Sequence, residues 1–591
     1  MLSGNSWRND LDRHIDFPGA ETDRGILLDI DRLSFWYGDA GQKAPTLDAV
    51  SLKVLKGEVV ALVGESGSGK STLINCVIGL HAGHDTRVEA EALRFQQTDL
   101  RDLSEREWRR LRGRHIAYVS QDPTGSLNPL TTVGDQLQEA LRFFHPNLGR
   151  AEAKREALEL MRKVGFAEPQ NIYGRYPHQL SGGMNQRISI AAALCGEPEL
   201  LLADEPTSAL DVSVQKQVLD HLEKLVVETG TAMLFITHDL AVAADRAERI
   251  VVLQHGHVRE EGPVETVLAS PRHGYTRQLL AAAPFLQDIG EPEKDVGNQA
   301  PEKTDGATGE NRLLNIEGLE KHFGDHDGSR FTAVGGINLH VDRQETVCVV
   351  GESGSGKTTL ARLILKLTAA DAGNVHFNGY DVRHLSGAAL KQYRREAQMV
   401  YQNPFASLDL RYNVREILCE PLRIHGIGSR SERRGEASRM LDLVGLPEKF
   451  MERRPGELSG GQRQRVAIAR ALITSPKLLI LDEAVSALDV SVQERILKLL
   501  RSIQQELGLA YLFITHDLSV VHNFSDRVYV MKRGEVVESG STASVFDAPQ
   551  HDYTRLLLAS APGQLARGKV ENSAAVEPER PYGPAPIVVA R

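Results

Sequence analysis

Nowhere in its 591 residues does the chain gather the ~20 consecutive apolar residues that a bilayer-spanning helix requires, although 41% of it is hydrophobic. The opening, Met1 to Asp10, lacks the apolar core of a secretion signal. The expectation is a cytoplasmic protein that meets a membrane only through partners. Cysteine is scarce: Cys76, Cys195, Cys348 and Cys419 lie far apart, which favours free thiols in a reducing compartment over disulfides or a metal cluster. A basic excess is also missing. The 69 Lys and Arg stand against 79 Asp and Glu, a formal charge of −10, which argues against non-specific wrapping of nucleic acid. At this length one core does not suffice, and several units are expected.

What is present is a loop that occurs twice. Gly64-Glu-Ser-Gly-Ser-Gly-Lys70-Ser71 returns letter for letter through the lysine at Gly351 to Lys357, followed by Thr358. Both fit GxxxxGK[ST], whose backbone N–H groups wrap nucleotide phosphates while the lysine reaches the outer phosphates and the hydroxyl holds Mg²⁺. An apolar β-branched run precedes each loop, Glu58 to Val63 and Glu345 to Val350. A helix-compatible stretch follows, Ser71 to Leu80 and Thr358 to Leu367. Each loop therefore sits where a strand gives way to a helix, whose N-terminus supplies unpaired donors and a favourable dipole for anionic oxygens.

The rest of the chain alternates strand and helix. Ile26 to Ile30, Leu33 to Tyr37 and Leu47 to Val54 read as short antiparallel strands, and Ile116 to Val119 as another strand ending near Gln121. Gly134 to Phe144 and Arg150 to Val164 read as helices, and a further helix opens at Leu180-Ser-Gly-Gly-Met184. Leu200 to Asp204 and Met233 to Thr237 read as buried parallel strands around a helix Val214 to Thr229. Residues 289 to 310 have the polar composition of a linker, after which the pattern restarts at Leu313. Lys70 and Lys357 are 287 residues apart, Gln121 and Gln402 are 281 apart, and Ser181/Ser459, Asp204/Asp482 and His238/His516 are all 278 apart. The chain thus divides into an arm (1–24), a first domain (25–288), the linker (289–310), a second domain (311–561) and a tail (562–591) read as disordered.

An acidic pair ends one strand in each copy, Asp204-Glu205 and Asp482-Glu483. The aspartate suits Mg²⁺, which takes one or two carboxylates with phosphates and waters, and the neighbouring glutamate is placed to polarise an attacking water. Taken alone, Asp-Glu after apolar residues also fits a helix start. Leu180-Ser-Gly-Gly-Met-Asn-Gln186-Arg187 and Leu458-Ser-Gly-Gly-Gln-Arg-Gln464-Arg465 stand between loop and acidic strand in both copies. A serine and two glycines before a helix expose a hydroxyl and N–H groups to a phosphate, or simply form an N-cap.

With these motifs together, the sequence resembles a tandem nucleotide-binding subunit of an ATP-binding cassette transporter, over roughly 26–287 and 313–560. Leu-Ser-Gly-Gly resembles the family signature, Gln121 and Gln402 its glutamine loop, Ser208 to Asp211 and Ser486 to Asp489 its D-loop, and His238 and His516 its switch histidine. The resemblance implies an α/β fold of two tandem phosphate-loop NTPase domains, each with a mostly parallel core sheet, an antiparallel β subdomain and a helical subdomain. It implies catalysis by Glu205, Glu483, His238 and His516. Nucleotide would be bound by Tyr37, Gly64, Ser66, Gly67, Gly69, Lys70, Ser71, Thr72, Gln121, Ser181, Gly182, Gly183 and Asp204, and by Phe323, Gly351, Ser353, Gly354, Gly356, Lys357, Thr358, Thr359, Gln402, Ser459, Gly460, Gly461 and Asp482. The metal would be Mg²⁺ on Ser71, Gln121 and Asp204, and on Thr358, Gln402 and Asp482. For the adenine contact, Trp36 or His322 are alternatives to Tyr37 and Phe323, and core packing is a rival role for all of these rings.

Within the family, the oligopeptide, dipeptide and glutathione import branch is the nearest match. Asn128-Pro129 after Gln121-Asp-Pro123, the stretch Gln402 to Leu408, Glu483-Ala-Val-Ser in place of Glu205-Pro-Thr207, and the repeated endings Pro271 to Leu280 and Gln550 to Leu558 carry that match. Some members bind an iron–sulfur cluster in this extension. Residues 262–290 and 540–565 contain no cysteine, so none is expected here. The branch implies ATP and Mg²⁺ as ligands, two integral membrane permease subunits and an extracytoplasmic solute-binding protein as partners, no nucleic acid, and a place on the cytoplasmic side of the bacterial inner membrane. The alternatives are a soluble tandem ATPase acting on ribosomes or nucleic acid, an exporter subunit, and an importer of another small solute.

Overall fold

The structure is a computed structural model that describes residues 24–38, 44–81, 86–207, 210–281, 311–324, 330–402, 407–486 and 488–563. Most of the N-terminal arm, the linker and nearly all of the tail fall outside the described residues, as do Ser208, Ala209, Ala487 and residues 403–406.

The first half begins with β1 (Ile26–Tyr37), β2 (Leu47–Leu55) and β3 (Val59–Val63). The two short strands expected from 26 to 37 are one strand. Arg32, at φ +48, forms an irregularity in the pairing with β2 that keeps Leu28, Ile30, Leu33 and Phe35 all facing inward. With β4 (Thr86–Glu89), β5 (Ala92–Phe95) and β6 (Thr98–Asp99), β1 and β2 make an antiparallel sheet. The strands β7 (Ile116–Val119), β8 (Leu200–Asp204), β9 (Ala232–Thr237), β10 (Arg249–Gln254) and β11 (His257–Pro263) join β3 in a six-stranded sheet of order β11-β10-β3-β9-β8-β7. All its pairs are parallel except β10–β11.

The second half repeats the plan. Its strands are β12 (Arg312–Gly324), β13 (Arg330–Asp342), β14 (Thr346–Val350), β15 (Ala372–Phe377), β16 (Tyr380–Asp381), β17 (Ala397–Val400), β18 (Leu478–Asp482), β19 (Ala510–Ile514), β20 (Arg527–Lys532) and β21 (Glu535–Ser541). The core order β17-β18-β19-β14-β20-β21 is the same sheet, and β13-β12-β15-β16 is the antiparallel one. The expected fold class is thus borne out.

Burial on both faces explains the unbroken apolar runs of the central strands. On β3, Val59, Ala61 and Val63 join the helical side of the core, while Val60 and Leu62 join the cluster under the antiparallel sheet. The helices Val133–Phe144 and Arg150–Lys163 begin and end within a residue of expectation, and Val212–Thr229 begins two residues early. The loop helices are shorter than the sequence suggests, Lys70–Val77 and Lys357–Ile364. Among the described residues no helix is long and apolar enough to cross a membrane. Cys76, Cys195 and Cys348 are buried free thiols, Cys419 is half-buried, and burial pushes the first three up to about 12.

Candidate functional site

Each phosphate loop is pressed against its sheet by its first glycine. A Cβ at Gly64 would lie 2.1 Å from the Leu253 carbonyl oxygen, and one at Gly351 would lie 2.1 Å from that of Met531. Lys70 and Lys357 start the helices that follow. Lys70 Nζ donates to the carbonyls of Gly64 (2.6 Å) and Glu65 (2.9 Å), and Lys357 Nζ to those of Gly351 (2.7 Å) and Glu352 (2.9 Å). Both lysines are buried, and burial lowers their pKa against the pull of nearby acids. A cation held in a dry, glycine-lined turn beside a helix N-terminus fits an anionic phosphate.

The acidic strand ends lie beside the loops. Thr358 Oγ1 donates to Asp482 Oδ1 at 3.3 Å, and Ser71 bonds Asp204. Burial, reinforced by Glu483, pushes the Asp482 carboxyl up to about 6; Asp204 is raised by burial and by Glu205. A buried aspartate, unwilling to ionise alone and next to a hydroxyl, fits a divalent cation that would satisfy it. One difference separates the copies. Tyr118 Oη reaches Asp204 Oδ2 at 3.5 Å, whereas the matching position on β17 is Met399.

Glu205 and Glu483 have left-handed backbones, φ +45 and +48, held by N–H bonds to the Ile236 (3.1 Å) and Ile514 (2.8 Å) carbonyls. A non-glycine residue in this region is strained and persists only where its surroundings enforce it. Gln121 Nε2 donates to Glu205 Oε2 at 2.9 Å, and Gln402 Nε2 to Glu483 Oε2 at 2.6 Å. His238 Nδ1 lies 3.4 Å from Glu205, and His516 Nδ1 3.3 Å from Glu483, an ion-pair contact in each half. Burial works against the charge on Glu205 and Glu483, but histidine, lysine and glutamine outweigh it and hold both carboxyls below the ordinary value. The same contact outweighs burial at His238 and His516 and raises them.

The signature serines cap their helices. Ser181 Oγ accepts from Met184 N (3.3 Å) and Ser459 Oγ from Gln462 N (3.4 Å). Only the second has a full capping box, through Gln462. Asn185 and Arg463 differ chemically but do the same work, donating to the carbonyls of Pro177 (3.0 Å) and Pro455 (2.5 Å). The second glycine of each signature allows close packing on the helix after the D-loop: a Cβ at Gly183 would be 2.5 Å from Val214, and one at Gly461 2.6 Å from Val492.

The D-loop aspartates join the halves. Asp489 Oδ1 accepts from Ser66 N at 3.0 Å and gives no bond to its own helix; Asp211 Oδ2 accepts from Ser353 N at 3.2 Å while its Oδ1 caps its own helix at Val214 N. Loop, acids, glutamine and histidine of each half thus cluster with the opposite aspartate. Tyr37 and Phe323 stand apart at the ends of β1 and β12, 48% and 44% exposed, which rules out core packing for them. Nothing local in the sequence marks the left-handed backbone of Glu205 or the contacts of Tyr275 and Tyr553 with the loops. The repetition of Tyr-Thr-Arg in the two endings is the available signal for the latter.

Two phosphate loops, each with an acid-ended strand, a glutamine, a histidine and a signature helix, define a duplicated phosphate-loop ATPase. The ABC transporter family model matches residues 47–208 and 334–486, and the chain belongs to that family. The model of the oligopeptide/dipeptide transporter C-terminal region matches residues 259–309 and 537–580. The glutathione import ATP-binding protein GsiA of Salmonella typhimurium is 42% identical over 565 residues, covering 92% of this chain and 90% of its own. Its namesake from Pectobacterium atrosepticum is 40% identical over 568 residues, covering 92% and 91%. A solved dimeric ATP-binding cassette bound to ADP and Pi is 31% identical, covering 39% of this chain and 99% of its own, with a TM-score of 0.37.

Proposed function

We propose that the chain is the ATP-hydrolysing subunit of a bacterial importer of di- or oligopeptides or glutathione-like solutes, working at the cytoplasmic face of the inner membrane. Two permease subunits would receive its motion and an extracytoplasmic solute-binding protein would supply the cargo. The tail regions matched by the oligopeptide/dipeptide model, with relatives named for glutathione import, support this over a ribosome- or nucleic-acid-directed ATPase or an exporter.

The nucleotide sites are read as composite. One unites Gly64 to Thr72, Gln121, Asp204, Glu205 and His238 with Ser459, Gly460 and Gly461. The other unites Gly351 to Thr359, Gln402, Asp482, Glu483 and His516 with Ser181, Gly182 and Gly183. Tyr37 and Phe323, exposed and aromatic, are assigned to adenine. The observation that carries the composite reading is the crossing of Asp489 to Ser66 and Asp211 to Ser353, which puts each loop against the opposite half. Mg²⁺ on Ser71 and Asp204, or Thr358 and Asp482, with Gln121 or Gln402, would neutralise phosphate charge. Glu205 and Glu483, kept ionised, orient and polarise the attacking water, and His238 and His516 fix them. The lysines stabilise charge on the transferring phosphoryl group, and the signature amides complete the cage when the halves close. Hydrolysis weakens that closure and so yields a stroke.

Replacing Glu205→Gln and Glu483→Gln together should abolish turnover and trap a closed ATP-bound form. ATPase activity near wild type in that double variant would sink the assignment. Co-purification with two integral membrane proteins, followed by ligand binding to the solute receptor encoded nearby, tests the import reading.

A further inference from the structure

Two consecutive amides of each phosphate loop donate to side chains from outside the loop. Glu65 N donates to the Tyr275 hydroxyl at 2.8 Å, and the next amide, Ser66 N, donates to Asp489 of the opposite half. In the other copy, Glu352 N donates to the Tyr553 hydroxyl at 3.1 Å and Ser353 N to Asp211. Each pair of neighbouring amides is therefore held at once by the closing segment of its own half (257–281 or 535–559, the tail of that half) and by the D-loop of the other.

The tail is constructed to hold that hydroxyl. Glu260 accepts from Arg272 N (2.8 Å) and His273 N (3.0 Å), and His273 Nδ1 accepts from Tyr275 N (3.1 Å). Glu538, Gln550, His551 and Tyr553 repeat the pattern at 2.7, 3.0 and 3.0 Å. Both tyrosines are buried. Their helices cross the interface: Gly274–Ala281 packs on Val490–Leu507, the helix that follows Asp489, and Asp552–Ala559 packs on Val212–Thr229, the helix that follows Asp211. Just beyond, Gly563 N donates to Asp245 of the first half at 2.8 Å. Packing accounts for a ring at these positions, since phenylalanine would fill the same space. The hydroxyl is explained by the amide it accepts from.

We propose that Tyr275 and Tyr553 are positioning residues that lock the second residue of each phosphate loop, so that the following amide meets the opposite aspartate and the tail is coupled to closure of the halves. This rests on the reading of the loops as nucleotide sites. Tyr275→Phe and Tyr553→Phe retain the ring and remove only the acceptor.

In the full chain, each substitution should lower kcat for ATP about five-fold, with KM within about two-fold, the scale of losing one hydrogen bond that orders the loop. Amide hydrogen exchange should quicken in residues 64–69 for Tyr275→Phe and in residues 351–356 for Tyr553→Phe, each without the other. A kcat within about two-fold of wild type, a change confined to KM, or unaltered loop exchange overturns the proposal. The Glu205→Gln/Glu483→Gln variant run alongside separates the two failures. Turnover surviving there defeats the site reading itself, whereas an inactive control beside unaffected tyrosine variants defeats only the positioning role.

Discussion

The side-chain amide of Gln121 donates to Oε2 of Glu205 across 2.9 Å, joining residues 84 positions apart, and Gln402 holds Glu483 in the same way. The glutamine opens the segment that leads from the core sheet to the helical region, so displacement of that region bears directly on the carboxylate. Gln402→Ala should free Glu483 and lower kcat about ten-fold with little change in KM, the scale of one hydrogen bond to a charged group. Steady-state ATPase measured across ATP concentrations decides it. A rise in KM with unchanged kcat would assign Gln402 to binding alone.

Much of this arrangement was legible in the sequence because its motifs are local. Gly64 to Lys70 and Asp204-Glu205 each sit where one strand ends, and the constant spacing of 278 residues revealed the duplication. The rest depends on contacts with no local signature. Nothing in Glu205 announces φ +45, a conformation imposed by the Ile236 carbonyl on a neighbouring strand. The D-loop match names Asp489, yet nothing in it shows that this carboxylate crosses to Ser66. The strand break expected near Arg32 was a bulge, since one left-handed residue restores the inward face without ending the pairing.

Burial raises the Asp482 pKa from an ordinary 3.8 to about 6, which sets the sign of a pH effect. Below about pH 4 the carboxyl is protonated in both folded and unfolded chains and costs nothing. As pH rises through 6 the folded chain must hold a buried charge, and stability is lost by about 3 kcal/mol. Asp482→Asn should therefore stabilise the nucleotide-free protein at pH 7.5, and the gain should fade between pH 6 and 4. Thermal melts of variant and wild type at matched pH check it. A gain independent of pH would place the cause elsewhere.

Gly69 and Gly356 hold equivalent places with similar backbones, φ +106 and +102, but different neighbours. A Cβ at Gly69 first meets the Leu47 side chain at 2.6 Å, which can turn aside; at Gly356 it meets the Ala333 carbonyl oxygen at 2.1 Å, which cannot. Both alanine substitutions incur backbone strain of about 1–3 kcal/mol. Only Gly356→Ala must also move β13, so it should lower the melting temperature more than Gly69→Ala. Equal shifts in calorimetry would contradict this.

The halves also differ where Arg246 in one is replaced by Phe524 in the other. Arg246, 7% exposed at its side chain, binds Asp220 at 2.5 Å and Glu223 at 2.6 Å. The positions matching those acids are Lys498 and Arg501, and Arg501 lies 5.6 Å over the Phe524 ring, which stacks on Tyr511. One position is thus held by ion pairs and the other by ring packing under a guanidinium. Arg246→Ala leaves Glu223 without its arginine and Asp220 with Lys216 alone, and should cost about 2 kcal/mol, less than a fully buried pair because Asp220 is 41% exposed. Phe524→Ala opens a cavity and should cost about 3–5 kcal/mol. Salt distinguishes the causes: in about 1 M NaCl the partly exposed carboxylates of Asp220 and Glu223 are screened by counterions, so the Arg246→Ala deficit should shrink in part while that of Phe524→Ala persists. Denaturant unfolding of both variants at low and high salt measures the difference, and a salt-independent Arg246→Ala deficit would make the arginine a packing element instead.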